Sequence, residues 1–353
     1  MKQTKILKVD PQQPEIDKIR QAADFIKSGG LVAFPTETVY GLGADALNTK
    51  AILDLFTAKK RPLDNPSIVH VENFEDVTRL TLQVSTTAKE LMKKFWPGPL
   101  TLVFKRSNIV PEVTAAGLET IAIRMPQHKV ALTLIRESRC PIAAPSANIA
   151  GKPSPTSAEH VLEDLNGRID VIIDAGATRI GVESTVLDVS VEPPMLLRPG
   201  GVSLEALKDA IDEVQLHPFA VSEKEVAPEK AKSPGMKHKH YAPKAPLILV
   251  EGDLSKVMST IKELIANYWL NDKRVGVLAT SETAWAYEAD VVKSLGSRRN
   301  VEAMASQLFR LLREFDSENV DVIVAEGVPL DGLGLAVMNR LRKASGYNII
   351  KAV

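Results

Sequence analysis

The stretch Phe34–Ala46, FPTETVYGLGADA, follows the apolar run Leu31-Val32-Ala33-Phe34 and decides how the chain is read. Pro35 fixes its own φ, while Gly41 and Gly43 permit backbone turns that a side chain would hinder. Between them, Thr36, Glu37, Thr38 and Tyr40 place four hydrogen-bonding side chains on a short segment leaving a buried strand. That composition suits a ligand-binding loop and also a polar strand-to-helix connection. The surrounding sequence has to separate the two.

Outward from this stretch, the first two hundred residues mix helices and strands. Pro14 to Gly29 repeats Ile16, Ile19, Ala23 and Ile26 at helical spacing, with Glu15 and Asp17 in the first turn. A second helix is expected from Asn48-Thr49 to just before Pro62, followed by a strand at Ser67–Val71. Ser85–Phe95 and Lys129–Ser138 read as helices, and Leu100–Lys105, Thr120–Arg124 and Cys140–Pro145 as strands. Ser146–Thr156 is a loop, Val171–Asp174 a strand, and Ser184–Val189 with Met195–Arg198 a strand pair; a helix near Val202–Val214 closes this part. No strict βαβ repeat emerges. The expected fold class is therefore α/β with mixed α+β character, a twisted mixed sheet with flanking helices.

From His217 to Pro246 the composition changes to prolines and lysines with almost no apolar periodicity, the signature of a linker. Beyond it, strands at Leu247–Val250, Val275–Ala279, Val291–Leu295 and Val320–Ala325 alternate with helices at Leu254–Tyr268, Val301–Asp316 and Gly334–Ser345. This pattern predicts a small Rossmann-like three-layer domain with a parallel sheet. It carries no Gly-x-Gly-x-x-Gly after its first strand and no Walker-type Gly-Lys-Ser/Thr. The expected domains are thus 1–216, a linker over 217–246, and 247–353.

Lysine plus arginine equals aspartate plus glutamate at 44 each, so the chain has no net charge to drive non-specific nucleic-acid binding. Cys140 is the one cysteine, which excludes an intrachain disulfide and a multi-thiolate zinc site. Its phrase, CPIAAP, reads as a buried structural thiol. No apolar run is long enough to span a bilayer, and the N-terminal residues lack a signal-like apolar region, so a cytoplasmic chain with no membrane partner is expected.

Several polar constellations remain. Lys59-Lys60-Arg61-Pro62, followed by Asn65 and His70, is either a solvated helix end or an anion site pairing a point charge with a bidentate fork. In a strand Thr120, Ala122 and Arg124 share a face, which lets Arg124 grip a carboxylate in a cleft or form a surface salt bridge. Ala144-Pro145-Ser146-Ala147-Asn148, with Ser154 beyond, presents hydroxyl and amide groups after a buried strand, or is a simple turn. Glu183-Ser184-Thr185 and Arg198-Pro199-Gly200-Gly201 repeat the theme. No His-Glu-x-x-His, Cys-x-x-Cys or Gly-x-Ser-x-Gly occurs. Cations and neutral hydrogen-bonders suit chemistry on phosphates driven by positioning and charge stabilisation.

The phrases PTETVYGLGADA, AKKRPLDNP, IAIRMP, APSAN, GVESTV and LLRPGG, in this order over residues 14–214, resemble the YrdC-like domain of threonylcarbamoyl-AMP synthases. SPGMKHKHYAPKAPL and the unit after it resemble the long, two-domain form of that family. The resemblance implies a nucleotidyltransferase that makes L-threonylcarbamoyladenylate and pyrophosphate from L-threonine, bicarbonate and ATP. A downstream transferase complex would use that product to modify tRNA beside the anticodon. It places the family's Lys-x-Arg and Ser-x-Asn signature, the catalytic set, on Lys59, Arg61, Ser146 and Asn148. Threonine ligands fall on Thr36, His70, Arg124, Ala144 and Ser184. ATP ligands fall on Arg61, Asn65, Thr120, Ser146, Ser154 and Arg198, with Tyr241 from the linker. Mg²⁺ is expected to arrive with ATP, and no protein-only metal site is expected.

Ser67 departs from the family, which more often has an apolar residue there; only a local packing change is expected. Met236–Tyr241, bracketed by Pro234-Gly235 and Ala242-Pro243, is either a lid over the cleft or a passive tether. The competing class is a YrdC-like protein that binds double-stranded RNA or tRNA without chemistry, against which the zero net charge weighs. A carbamoyl-transfer enzyme is a further rival, though its usual acylphosphatase-like and zinc-finger segments are not visible.

Overall fold

The computed structural model describes residues 2–224 and 240–353. These fall into two compact units, the first comprising residues 2–150 and 154–220, the second residues 151–153, 221–224 and 240–353.

The first unit is built on eleven strands: β1 (Lys5–Lys8), β2 (Val32–Phe34), β3 (Gly41–Asp45), β4 (Ile68–His70), β5 (Leu100–Lys105), β6 (Thr120–Arg124), β7 (Ile142–Ala143), β8 (Val171–Asp174), β9 (Thr185–Asp188), β10 (Met195–Arg198) and β11 (Gln215–Leu216). They form one sheet in the order β1-β8-β2-β3-β7-β4-β6-β5-β9-β10-β11. Neighbours are parallel in β2/β8 and β4/β6 but antiparallel in β2/β3, β3/β7 and β4/β7. This is the expected mixed sheet and not a regular doubly wound one. Its helices are α1 (Ile16–Lys27), α2 (Thr49–Lys59), α3 (Phe74–Leu80), α4 (Thr86–Phe95), α5 (Lys129–Ser138), α6 (Ala158–Leu165), α7 (Leu204–Lys208) and, straddling the division between units, α8 (Pro218–Val221).

Side-chain alternation from Leu31 through β2 splits the core between the two faces of the sheet. Val32 and Phe34 join Ile19 and Ile26 of α1 and Leu134 of α5, whereas Leu31 and Ala33 join Leu55 of α2 and Leu91 of α4. Asn48 caps α2 by accepting from Ala51 N, and Lys60 ends it in the left-handed conformation at φ 51°.

In the second unit β12 (Leu247–Gly252), β13 (Val275–Ala279), β14 (Val291–Ser294), β15 (Val322–Glu326) and β16 (Ile349–Ala352) lie in the order β14-β13-β15-β12-β16, every pair parallel. α9 (Leu254–Trp269), α10 (Val301–Phe315) and α11 (Gly334–Ala344) make the connections. The expected parallel α/β architecture is present.

Local expectations fail at identifiable places. The opening stretch is no strand-to-helix loop: Gly41–Asp45 is a strand, hydrogen-bonded back onto β2 as a hairpin. Its two glycines hid it, because glycine is a weak strand former. Gly43 is needed there, since a Cβ would stand 2.8 Å from both Ile142 Cγ2 and Phe34 Cε1. The helix expected near Val202–Val214 is only the short α7, followed by edge strand β11. β1, α3 and β16 lie beyond the expected elements. Within the expected linker, α8 forms because Phe219 and Ala220 are buried. The lid expectation at Met236–Tyr241 lies outside the described residues up to position 239.

Candidate active site

Thr36 begins the turn that joins β2 to β3. Its hydroxyl donates to Val39 O (2.7 Å), and its oxygen accepts from the backbone N–H of Thr38 and Val39. With that single proton committed, the 2.8 Å contact to Thr38 Oγ1 must be donated by Thr38. Thr38 Oγ1 in turn accepts from Arg124 Nη1 at 3.0 Å. A continuous hydrogen-bonded chain thus runs from Arg124 through Thr38 to Thr36, and the Thr36 hydroxyl is held inside its own turn.

Arg124 ends β6, side by side with His70 at the end of parallel strand β4. Arg124 Nε donates to Gly98 O (3.2 Å), and Nη2 lies 2.8 Å from Glu37 Oε2. His70 is buried edge-on against Phe34. Burial, with Arg124 alongside, lowers its imidazole to about 3, so it is neutral at physiological pH. Ala144 is anchored through its N–H to Ile68 O (2.8 Å), next to β4.

Ser184 precedes β9. Its hydroxyl meets Thr101 Oγ1 at 2.7 Å, while Arg198 reaches it from β10, donating from Nη2 and Nε to Ser184 O and from Nη2 to Ser184 Oγ. Ser154 donates to Glu183 Oε1 (2.6 Å), which ties the Ser146–Thr156 loop to the Glu183-Ser184 segment. Gly200 packs under that segment: a Cβ there would stand 2.3 Å from Glu183 O and from the Ser184 carbonyl carbon.

Lys59, the last residue of α2, is almost completely buried. Its ammonium donates to the main-chain oxygens of Ser146 and Asn148, so a cation holds the Ser-x-Asn loop. Arg61 donates from Nε to Asn65 O and from Nη2 to Pro66 O, which shapes the segment leading into β4. Asn65 Oδ1 and Ser67 Oγ are buried without a hydrogen-bond partner among the described residues. For Ser67 this is more than a packing change; a polar atom has been left unpaired.

Residues 34–198 therefore gather into linked groups: Thr36 with Arg124 and His70, Ser184 with Arg198, Ser154 beside them through Glu183, and Lys59 with Ser146 and Asn148. Thr120 starts β6, so it stands roughly 13 Å along the strand from Arg124. Tyr241 belongs to the second unit, where its ring packs on Phe309 and beneath Arg340. Glu37, Thr101 and Glu183 are site-forming residues missing from the expected ligand set. Glu183 lay in a motif already singled out, whereas nothing in the local sequence marked Thr101. Burial pushes the Cys140 thiol up to about 12, in keeping with a structural role.

A mixed-sheet domain that turns buried cations and hydroxyls toward one another, followed by a parallel α/β unit, defines the YrdC-like class in its two-domain form. A profile of the Sua5, YciO and YrdC proteins, described as "Telomere recombination", matches residues 24–200. A second, "Threonylcarbamoyl-AMP synthase, C-terminal domain", matches residues 202–346. The chain is 57% identical over 334 residues to a threonylcarbamoyl-AMP synthase of Pyrococcus abyssi, covering 95% of this chain and 96% of that one. It is 51% identical to a threonylcarbamoyl-AMP synthase of Bacillus subtilis over 97% of this chain and 95% of that one. A crystal structure of P. abyssi Sua5 complexed with L-threonine superposes with a TM-score of 0.94 at 54% identity, covering 99% of this chain and 100% of that one. The chain belongs to the Sua5/YciO/YrdC family and carries the C-terminal domain of its threonylcarbamoyl-AMP synthases.

Proposed function

We infer that this chain is an L-threonylcarbamoyladenylate synthase, joining L-threonine, bicarbonate and ATP and releasing pyrophosphate. The observation that carries this reading is the pairing of a buried arginine group, Arg124 hydrogen-bonded to Thr38 and through it to Thr36, with a second cationic group around Ser184 and Arg198 in one family fold. Arg124 meets the threonine carboxylate, with His70, Ala144 and Ser184 lining the rest of that pocket. The amine and bicarbonate give a carbamate, and a carbamate oxygen attacks the α-phosphorus of ATP as pyrophosphate leaves. Arg61 and Arg198 offset the phosphate charge, with Asn65, Thr120, Ser146 and Ser154 as further ATP ligands. Lys59 adds charge while it fixes Ser146 and Asn148. Mg²⁺ enters with ATP, as part of that substrate.

The product serves threonylcarbamoyladenosine formation in tRNA through a downstream transferase complex, in the cytoplasm; tRNA is met only indirectly. Residues 1–216 are assigned as the catalytic domain, 217–246 as linker and 247–353 as the C-terminal domain. Among the described residues no helix is long and apolar enough to cross a membrane. The test is pyrophosphate release with ATP and bicarbonate, supplying threonine and then serine. Release that depends on threonine is expected; its absence overturns the reading.

A further inference from the structure

Glu37 and Arg124 are paired at 2.8 Å with only 2% and 4% of their side chains exposed. An arginine waiting alone for a ligand carboxylate would be an uncompensated buried charge, which is costly at this depth. Glu37 removes that cost before any ligand arrives and leaves the pair with no net charge.

The pairing is not closed as structural ion pairs at such depth usually are. Nε and Nη1 of Arg124 are directed at Gly98 O and Thr38 Oγ1. Among the described residues Oε1 of Glu37 has no hydrogen-bond partner, and the Nη2–Oε2 contact, though 2.8 Å long, is not aligned as a hydrogen bond. Buried polar groups are ordinarily satisfied, so an unfilled acceptor on Glu37 beside a misaligned ion pair points to a ligand. Glu37 and Thr36 also border a cavity of about 440 Å³ that runs on to Gln127, His128 and Thr178.

We propose that Glu37 sets the charge requirement of the Arg124 pocket, so that it accepts an amino acid as the zwitterion: carboxylate toward Arg124, α-ammonium in the field of Glu37. This rests on the threonine reading above and adds a specificity-determining residue to it. The physical argument is a sum of charges. A ligand carrying only a carboxylate leaves the buried group at −1, and one carrying only an ammonium leaves it at +1. The zwitterion keeps it at zero and, unlike an uncharged ligand, gives each member of the pair an opposite charge.

The test uses the full-length protein and calorimetric displacement of L-threonine by two analogues. One is 3-hydroxybutyrate, threonine without its amine; the other is L-threoninol, threonine with its carboxylate reduced to an alcohol. In the wild type the two should bind within about tenfold of each other, both at least about tenfold more weakly than threonine. A wild-type preference for the anion beyond about tenfold overturns the proposal without any variant. In Glu37→Gln the preference should move toward 3-hydroxybutyrate by at least about tenfold, while Glu37→Asp keeps the wild-type order. An unmoved preference in Glu37→Gln, or the same movement in Glu37→Asp, overturns it. If L-threonine itself does not bind the wild type, the substrate reading fails and takes this inference with it. If threonine binds and the analogues contradict the charge rule, this inference alone fails.

Discussion

Lys59 donates its ammonium to the main-chain oxygen of Asn148 at 2.5 Å, across 89 residues of sequence. The same ammonium also holds the Ser146 oxygen, and both loop residues lie in the expected catalytic set. Lys59→Met should therefore remove a positive charge from the site and release the loop together. Pyrophosphate release is expected to fall about 10²–10³-fold, the scale seen when one preorganised donor is lost. A variant that keeps full turnover would show that Lys59 is scaffold only.

Thr36 acts through its turn. Thr36→Val keeps the shape but breaks the hydrogen-bonded chain to Thr38, on which Arg124 Nη1 depends. The KM for threonine should rise several-fold more than the KM for ATP. Equal rises for both substrates would place Thr36 in general support of the domain. The broken turn should also lower stability by about 1–3 kcal/mol, readable in urea.

His70 gives the fold a pH dependence. Burial beside Arg124 takes its imidazole from 6.5 down to about 3. Between those values the unfolded chain binds a proton that the folded chain does not. The stability from neutral His70 is therefore complete above about pH 6.5 and is lost progressively as pH falls toward 3. Urea midpoints should drop between about pH 7.5 and pH 5, and His70→Asn should reduce that drop. The same drop in wild type and variant would assign it to other groups.

Ser67 buries a hydroxyl that has no partner among the described residues. Ser67→Ala removes the unpaired atom, so thermal unfolding should shift upward or stay level, by up to about 1 kcal/mol. A loss above about 1 kcal/mol would mean the hydroxyl is satisfied in solution, for instance by water.

Gly200 has no room for a side chain, with Thr185 N 2.4 Å from where its Cβ would be built, and main chain on that side cannot swing away. Gly200→Ala should cost about 1–3 kcal/mol in stability and displace Ser184, with weaker threonine binding. A melting curve that matches the wild type, with threonine affinity intact, would show that the segment yields at no cost.

The periodic elements were legible because burial imposes its spacing on the sequence. α1 and α10 carry apolar stripes at helical intervals, and the inner strands β13 and β15 of the second unit are near-continuous apolar runs, as a parallel sheet covered on both faces requires. Elements with weak local signals escaped: the glycine-containing strand Gly41–Asp45, the exposed edge strand β11 and the single-turn α8. Polar motifs could be listed from sequence, and their order carried the family resemblance. Their partners could not.

By itself, then, the sequence determined the fold class, the two-part α/β organisation and the positions of the candidate cations and hydroxyls, since each depends on local pattern or motif order. Only the tertiary structure decided what those groups touch. It made Phe34–Ala46 a hairpin, committed the Thr36 hydroxyl to its own turn and set Glu37 against Arg124. Thr38 and Arg124 stand 86 residues apart, and sheet pairing in the order β3, β7, β4, β6 is what carries them into hydrogen-bonding distance. Spacing along the chain holds no record of such a contact. It exists because distant strands must satisfy one another's backbone groups before their end residues can meet.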